Sequence, residues 1–259
     1  MRRLLNIIIL SLIFVLGHSQ TPTVKNNPEY DEKLLHFGYT LGFNVMDFNI
    51  GHNDLYYYKG ADGNDAFTSI KPTTGNIQTF HAEYTSFTPG FQVGMIMDLR
   101  LGEYFNLRCL PSFIFGQRNI SYFLLKNGTQ HADSAYNTQK LESSMIEVPF
   151  LIKYKAKRVN NYRPYLVAGT SFNYDLAPKS SPKVDEGEYI LLKHFDIQYQ
   201  TGVGIDYYFQ YFKFSTEIKF SVGLLDMLNH KASPTPFDGY TNTISKLNSR
   251  IIMFSLHFE

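Results

Sequence analysis

Residues 88–117 alternate between apolar and polar side chains in two consecutive runs, and this pattern limits the possible folds more than any other feature of the chain. The odd positions are mostly apolar from Phe91 to Leu101 and again from Phe105 to Phe115. A period of two predicts β-strands, and each apolar face lasts about ten residues, the length of a tilted strand that crosses a membrane. The opposite face carries charge and glycine, and glycine is uncommon on the solvent face of a soluble sheet. We therefore predict a hairpin of two membrane-crossing strands with a crowded interior.

The register of this hairpin follows from its loop. An odd-length loop keeps odd residues opposite odd residues, and the three-residue connection Gly102–Tyr104 is a common choice. It places Asp98 opposite Arg108, whereas the alternative centred on Tyr104 would place Arg100 opposite Arg108. Like charges directly opposite each other are destabilising. The first register is the one we predict.

Composition narrows the classes of protein further. A net charge of +1 with 18% charged residues does not indicate a nucleic-acid partner. Aromatic residues make up 16% of the chain, with 19 Tyr, 22 Phe and no Trp, which suits the aromatic girdles of a membrane barrel. An aromatic-rich soluble β protein is the alternative. The single cysteine, Cys109, excludes an internal disulfide, and we expect it to act as a small hydrophobic residue on the apolar face.

The N-terminus has the pattern of a secretory signal over residues 1–19. Two arginines precede an apolar run from Leu4 to Leu16, and small residues favour cleavage after Ser19. No cysteine follows, so no lipid anchor is indicated at this site. A single anchoring helix is the alternative, but the run is short for a bilayer. Residues 20–33, which are polar and contain two prolines, are predicted to form a periplasmic lead-in.

The remaining chain, residues 34–259, repeats the alternating pattern. Strands are predicted at 35–49, in the two arms of the hairpin, and at 143–155, 163–175, 194–207, 212–224 and 249–259. Long polar connections at 50–87, 118–141, 176–193 and 225–248 alternate with short ones at 102–104, 156–162 and 208–211. We also expect strand extensions near 77–84 and a bulge beside Pro149, because proline cannot donate to a ladder.

This pattern predicts an all-β fold, an antiparallel transmembrane β-barrel of about eight strands. Its short turns would face the periplasm and its long loops the outside, with both mature termini in the periplasm. The lumen of such a barrel is just wide enough to be filled by side chains, so we expect no pore. The inward-facing charges are expected to pair with one another as a structural plug, with a gating role as the alternative. They are Asp98, Arg100, Arg108, Glu147, Lys153, Asp196, Asp206, Glu217 and Lys219.

No catalytic, cofactor-binding or metal-binding residues are predicted. His36, His81, His131, His194, His230 and His257 lack the short spacings of metal sites. His194 and Asp196, two positions apart, are the best candidate for an acid–base pair, but no nucleophile accompanies them. Asn127-Gly128-Thr129 matches a glycosylation sequon, and a turn is the preferred interpretation.

Several runs resemble a known family. They are YDEKLLHFGYTLGFNVMDF at 30–48, FQVGMIMDLRLGEYFNLRCLPSFIFGQR at 91–118, ESSMIEVPFLIKYKAKR at 142–158, RPYLVAG at 163–169, YFKFSTEIKFSVGL at 211–224 and the closing SLHFE. The most specific are LHFGYTLGFN, DLRLGEYFNLR and FKFSTEIKFS. On these residues the chain resembles the PorT/SprT outer-membrane proteins, which are associated with type IX secretion and gliding motility.

The resemblance implies a required, non-enzymatic accessory of a machine that moves cargo proteins across the outer membrane. Because the expected lumen is too narrow for cargo, the implied role is scaffold, assembly factor or partner of a larger translocon. The expected partners are outer-membrane lipid and other type IX components, through loops 50–87 and 225–248 outside and the basic turn 156–162 inside. The alternatives are a small-molecule or lipid-binding barrel, which needs an apolar lumen, and a lipid-modifying enzyme, which needs catalytic residues at the rim.

Overall fold

The strands that carry the alternating side chains form one antiparallel sheet that closes on itself. The computed structural model describes residues 25–53, 55–59, 65–68, 78–84, 88–126, 129–130, 137–177, 190–229 and 241–259. The strands are β1 (Leu35–His52), β2 (Leu55–Lys59), β3 (Asp65–Thr68), β4 (Gln78–Tyr84), β5 (Pro89–Arg100), β6 (Phe105–Cys109), β7 (Ser112–Lys126), β8 (Thr129–Gln130), β9 (Asn137–Lys155), β10 (Tyr162–Asp175), β11 (Phe195–Tyr208), β12 (Lys213–Gly223) and β13 (Ile244–Phe258).

The ring contains eight strands, as the sequence predicts. Its order is β1, β13, β12, β11, β10, β9, the pair β6 and β7, and then β5, which pairs with β1 again. β6 and β7 are two halves of one strand, because both pair with β5 in a single continuous register. Pairing of β1 with both β5 and β13 leaves the ring without an open edge.

The hairpin register is confirmed. Asp98 lies opposite Arg108 and Leu99 lies opposite Leu107, and the amide of Leu101 donates to the carbonyl of Phe105 across the turn. The unlike charges therefore share one face of the sheet.

The two faces of the ring differ in chemistry. Outward side chains such as Phe37, Phe43 and Met95 are exposed and apolar, and free Cys109 is half-buried among them. Inward residues are buried. The apolar outer band stops on β1 near Val45, and farther along the barrel the exposed residues include Lys140 and Glu142. The strands therefore continue beyond the apolar band, where the exterior becomes polar.

Two predicted boundaries were wrong for this reason. Residues 118–141 were expected to be a loop, but β7 continues to Lys126 and β9 begins at Asn137. Outside the apolar band both faces of a strand can be polar, so the alternation that marks a strand disappears. The expected strand extension near 77–84 is confirmed by β4, which pairs with β7.

The predicted bulge beside Pro149 was also wrong. β9 keeps its register across Pro149 with β10, where Pro149 lies opposite Ser171. The interruption falls in the partner strand instead, at Leu110 and Pro111, between β6 and β7. Neither Pro149 nor Pro111 has a backbone N–H to donate, and the two prolines lie close together on paired strands. The hydrogen bonds that the wall lacks are therefore at one place.

The ends of the barrel differ in their connections. At one end, here called the turn end, the strands join through 101–104, 156–161 and 209–212. The other end, the loop end, carries the longer connections and the strands β2, β3, β4 and β8. Within the described residues no helix is long and apolar enough to span a membrane. The predicted signal segment 1–19, most of the sequon and parts of the long connections lie outside the described residues.

Candidate functional site

Buried ion pairs fill the lumen near the turn end. The guanidinium of Arg108 lies 2.8 Å from Oδ2 of Asp98, 3.0 Å from Oε1 of Glu259 and 3.5 Å from Oε2 of Glu217. All four side chains are almost completely shielded from solvent. A cation in such a place is stable only because several carboxylates surround it.

The contact between Arg108 and Glu217 crosses the barrel. Arg108 stands on β6 and Glu217 on β12, and these strands are separated by β9, β10 and β11 in one direction and by β5, β1 and β13 in the other. The phenol of Tyr165 also donates to Glu217, at 2.9 Å, from β10. Side chains from opposite walls therefore meet in the lumen, which is obstructed at this level.

Two further ion pairs lie near the same end. Nζ of Lys153 lies 2.9 and 2.8 Å from the carboxylate oxygens of Asp206 and 3.8 Å from the centre of the Tyr165 ring. Lys213 donates to Glu259 at 2.6 Å. These buried pairs are charge-assisted hydrogen bonds, which fix the positions of their strands.

The middle of the lumen is polar and hydrogen-bonded. Lys219 approaches Glu147 at 3.7 Å, and the amide of Gln200 donates to Glu147 at 2.5 Å. On the opposite wall the amide of Gln92 donates to Ser255 at 2.6 Å. This level therefore contains hydrogen bonds between several strands, while Oε1 of Gln92 and Oε1 of Gln200 have no partner among the described residues.

Apolar clusters occupy the rest of the interior. One contains Met46, Ile114, Met145, Ile251 and Met253. At the loop end a larger cluster joins wall residues to the inward-folded segments around Leu192 and Leu228, which form a β-bridge. The wall residues of that cluster are Phe48, Ala82, Ile120, Tyr122, Ile244 and Leu247. Apolar side chains of the wall and of these two segments therefore pack together inside the loop end.

The structure brings most of the predicted inward charges into ion pairs, with two exceptions. Arg100 lies at the turn-end rim and donates to the carbonyls of Gly102 and Glu32, with no ion pair among the described residues. Asp196 is buried and accepts from the amide of Gln198, again without an ion pair in the described part of the chain.

Several charged residues of the interior are not among the predicted inward charges. Lys213 and Glu259 occupy inward positions of β12 and of the residue after β13, so the alternation itself could have identified them. Arg118 lay in the segment predicted as a loop. Its guanidinium is buried 4.5 Å from the centre of the Phe48 ring, and Nε and Nη1 have no hydrogen-bond partner among the described residues.

The histidines do not assemble a catalytic or metal site in the described residues. His194 is exposed and its Nδ1 lies 2.9 Å from the carbonyl oxygen of Asp175, whereas Asp196 points into the lumen. They are on different faces because β11 begins only at Phe195. The rings of His52 and His81 stack with their centres 4.0 Å apart, beside an open groove of about 240 Å³. The pKa of His52 is lowered, mainly by its burial and to a smaller extent by the nearby His81. No group of three His, Cys, Asp or Glu in the described ranges is placed to hold a metal ion.

The lead-in segment, here residues 25–33, lies across the turn-end mouth. Tyr30 stacks on His36 at 4.3 Å and its hydroxyl donates to Glu259 at 3.3 Å. Asp31 accepts from the hydroxyl of Tyr208 at 2.9 Å and lies 3.0 Å from Nη1 of Arg163. The short turn Tyr30–Glu32 thus covers the charged interior with one ring and one carboxylate.

The basic turn holds the beginning of this segment. Arg158 donates to the carbonyls of Asn26 and Asn27, and Asn26 in turn donates to the carbonyl of Tyr208 at 3.0 Å. The guanidinium of Arg158 also lies 3.7 Å above the ring centre of Tyr208. Arg158, one of the cations expected to contact a partner, therefore contacts the protein's own lead-in in this structure.

The comparison with known families agrees with this architecture. The family described as outer membrane protein beta-barrel domain matches residues 19–229. The chain belongs to this outer-membrane β-barrel family. The match ends before β13, the strand that completes the ring. No curated protein matches the chain.

Membership of the outer-membrane β-barrel family explains the exposed apolar band. In water, such a surface would be an aggregation hazard, but in this family it faces lipid. The buried charges are then separated from the hydrocarbon by the wall of the barrel.

Proposed function

We propose that the protein is a non-enzymatic component of the outer membrane that is required for type IX protein secretion and the linked gliding motility. In this proposal it acts as a scaffold, assembly factor or partner of a larger translocon and does not conduct cargo. The contact of Arg108 with Glu217 across the lumen supports the statement that the protein does not conduct cargo, because a polypeptide cannot pass where side chains of opposite walls touch. The resemblance of the strand and turn sequences to the PorT/SprT proteins supports the role in type IX secretion and gliding motility.

The proposal includes an orientation. Residues 1–19 act as a cleaved signal, the turn end faces the periplasm and the loop end faces outward. The difference in length between the two sets of connections supports this arrangement, since outer-membrane barrels have short periplasmic turns and longer outer loops.

The alternative functions have less support. A lipid or small-molecule carrier needs an apolar cavity. In this barrel, charged and amide side chains occupy the lumen between the level of Arg108, near the turn end, and the level of Gln200, in the middle. A lipid-modifying enzyme needs an acid–base pair at the rim, and His194 and Asp196 are on different faces.

A clean deletion of the gene tests the secretory role. We expect many cargo proteins to disappear from the culture supernatant and cell surface and their precursors to accumulate in the periplasm, as measured by mass spectrometry. A plasmid-borne copy should restore export, and a resident periplasmic protein should stay inside in all strains, which controls for leakage. Normal export of cargo from the deletion strain would contradict the proposal.

A further inference from the structure

The turn-end mouth has the features of a binding site for an aromatic residue followed by an acidic one. The aromatic position is formed by the His36 ring, stacked on Tyr30, and by Lys213, whose Nζ lies 4.8 Å from the centre of the Tyr30 ring. The acidic position is formed by Arg163 and the hydroxyl of Tyr208. A stacked ring with a cation above it and a carboxylate between two donors are both specific forms of recognition.

The residues that form this site belong to the barrel and not to the lead-in. His36, Arg163, Tyr208 and Lys213 lie on β1, β10, β11 and β12 and are buried. Arg163 is fixed further by its donation to the carbonyls of Ala156 and Glu103. The site is therefore preorganised by strands that remain paired whether or not the lead-in is bound.

The lead-in itself is held by polar contacts and ring stacking and not by buried apolar side chains. The turn Tyr30–Glu32 contains no buried residue, and Lys33 and Leu34, which join it to β1, are exposed. Segments with few buried apolar contacts open locally at a small fraction of the global unfolding free energy. Detachment of the lead-in therefore does not require the barrel to unfold.

The positive charge that remains in the barrel when the lead-in detaches determines which peptide could take the place of the lead-in. When Asp31 leaves, Arg163 loses its ion-pair partner, and the buried Lys155 lies close enough to both groups to interact with them electrostatically. A replacement must therefore bring negative charge to this corner.

We propose that the turn-end mouth is a peptide-binding site, occupied here by the protein's own Tyr30–Asp31 pair and exchangeable for a partner's peptide that carries an aromatic residue followed by a carboxylate. This inference rests on the proposed function for the side of the membrane on which that partner lies. The tethered lead-in competes with the incoming peptide at a high effective concentration, of the order of millimolar. Binding by the partner therefore also releases the lead-in.

The test uses the full protein in detergent and a fluorescent, blocked peptide with the sequence of residues 26–33, NNPEYDEK. We expect the variant Tyr30→Ala/Asp31→Ala to bind this peptide about tenfold or more tightly than the wild type, because its own lead-in no longer competes. Fluorescence anisotropy measures the affinity. A peptide in which Tyr and Asp are replaced by Ala and Asn should not bind.

Two variants locate the site. Adding Tyr208→Phe removes only the hydroxyl that contacts Asp31, keeps the ring, and should weaken binding of the peptide. Adding Arg250→Gln instead removes an exposed cation on β13, far along the strand from the turn end, and should leave the affinity unchanged. Heat-modifiable mobility on gels confirms that each variant is folded.

Equal affinity of the peptide for wild type and the Tyr30→Ala/Asp31→Ala variant, absence of binding, or binding that is unaffected by Tyr208→Phe would each overturn the inference. The assay uses purified protein, so its failure is separate from failure of the secretory role. Absent binding with blocked export in the deletion strain rejects only this site, and binding with normal export rejects only the secretory role.

Discussion

Replacing Arg108 with methionine is expected to lower the free energy of unfolding of the barrel by about 3–5 kcal/mol, the range measured when one partner of a buried ion pair is removed. The substitution keeps a long side chain but makes it apolar, and it leaves Asp98, Glu217 and Glu259 without their shared cation. Urea titration followed by far-UV circular dichroism and by heat-modifiable mobility measures the change.

The matched control is Arg250→Met. Arg250 also pairs with an aspartate, Asp47, but its side chain is 54% exposed, so water replaces the lost contact. We expect a change below about 1 kcal/mol. Equal losses from the two substitutions would show that the buried network stabilises the barrel no more than an exposed ion pair does.

Gly169→Ala is expected to have a comparably large effect through a different cause. A Cβ at position 169 would lie 2.1 Å from the carbonyl oxygen of Phe150 and 2.9 Å from Cα of Leu151, both backbone atoms of β9. Because backbone of a paired strand cannot rotate away, β9 and β10 must separate, and we expect a loss of about 3 kcal/mol or more, the upper end for overpacking. The yield of heat-modifiable folded protein and its urea midpoint measure the effect.

Gly102→Ala is the control for this substitution. Gly102 lies in the turn between β5 and β6, and an added Cβ there would meet no atom within 4 Å. We expect its stability to stay within about 0.5 kcal/mol of the wild type. A Gly169→Ala protein that folds and unfolds like Gly102→Ala would mean that the two strands are not as close as described.

The sequence predicts the ring because a narrow lumen and a lipid exterior impose opposite chemistry on alternate residues. That rule was sufficient for the strand count, whereas the hairpin register, in which Asp98 faces Arg108, also required exclusion of a like-charge pair. It also placed Glu147, Lys153, Asp206, Glu217 and Lys219 on the inner face, from which the observed ion pairs are built.

Contacts across the lumen could not be predicted in this way. Neighbouring strands are related by register, but Arg108 reaches Glu217 on the far wall, and that depends on the tilt and stagger of all the intervening strands. On β10 the inward residues Tyr165 and Val167 are themselves apolar, so the alternation is weak there.

The segments outside the apolar band were hidden for a different reason. Arg118 lies on an extension of β7 whose outer face is no longer apolar, and it was therefore assigned to a loop. The lead-in makes only a single short turn, Tyr30–Glu32, which is too short for any periodic pattern. Its position in the mouth depends on Arg158, Arg163 and Tyr208, which are distant in sequence.

The most direct test of the central claim, a closed barrel that does not serve as a conduit, is the conductance of the purified protein in planar lipid bilayers. Flotation with liposomes confirms insertion, and a general porin in the same bilayers provides the positive control. We predict no steady conductance from the wild type, because Arg108, Glu217 and the apolar loop-end cluster occupy the lumen. A stable, water-filled channel in the wild-type protein would contradict the account.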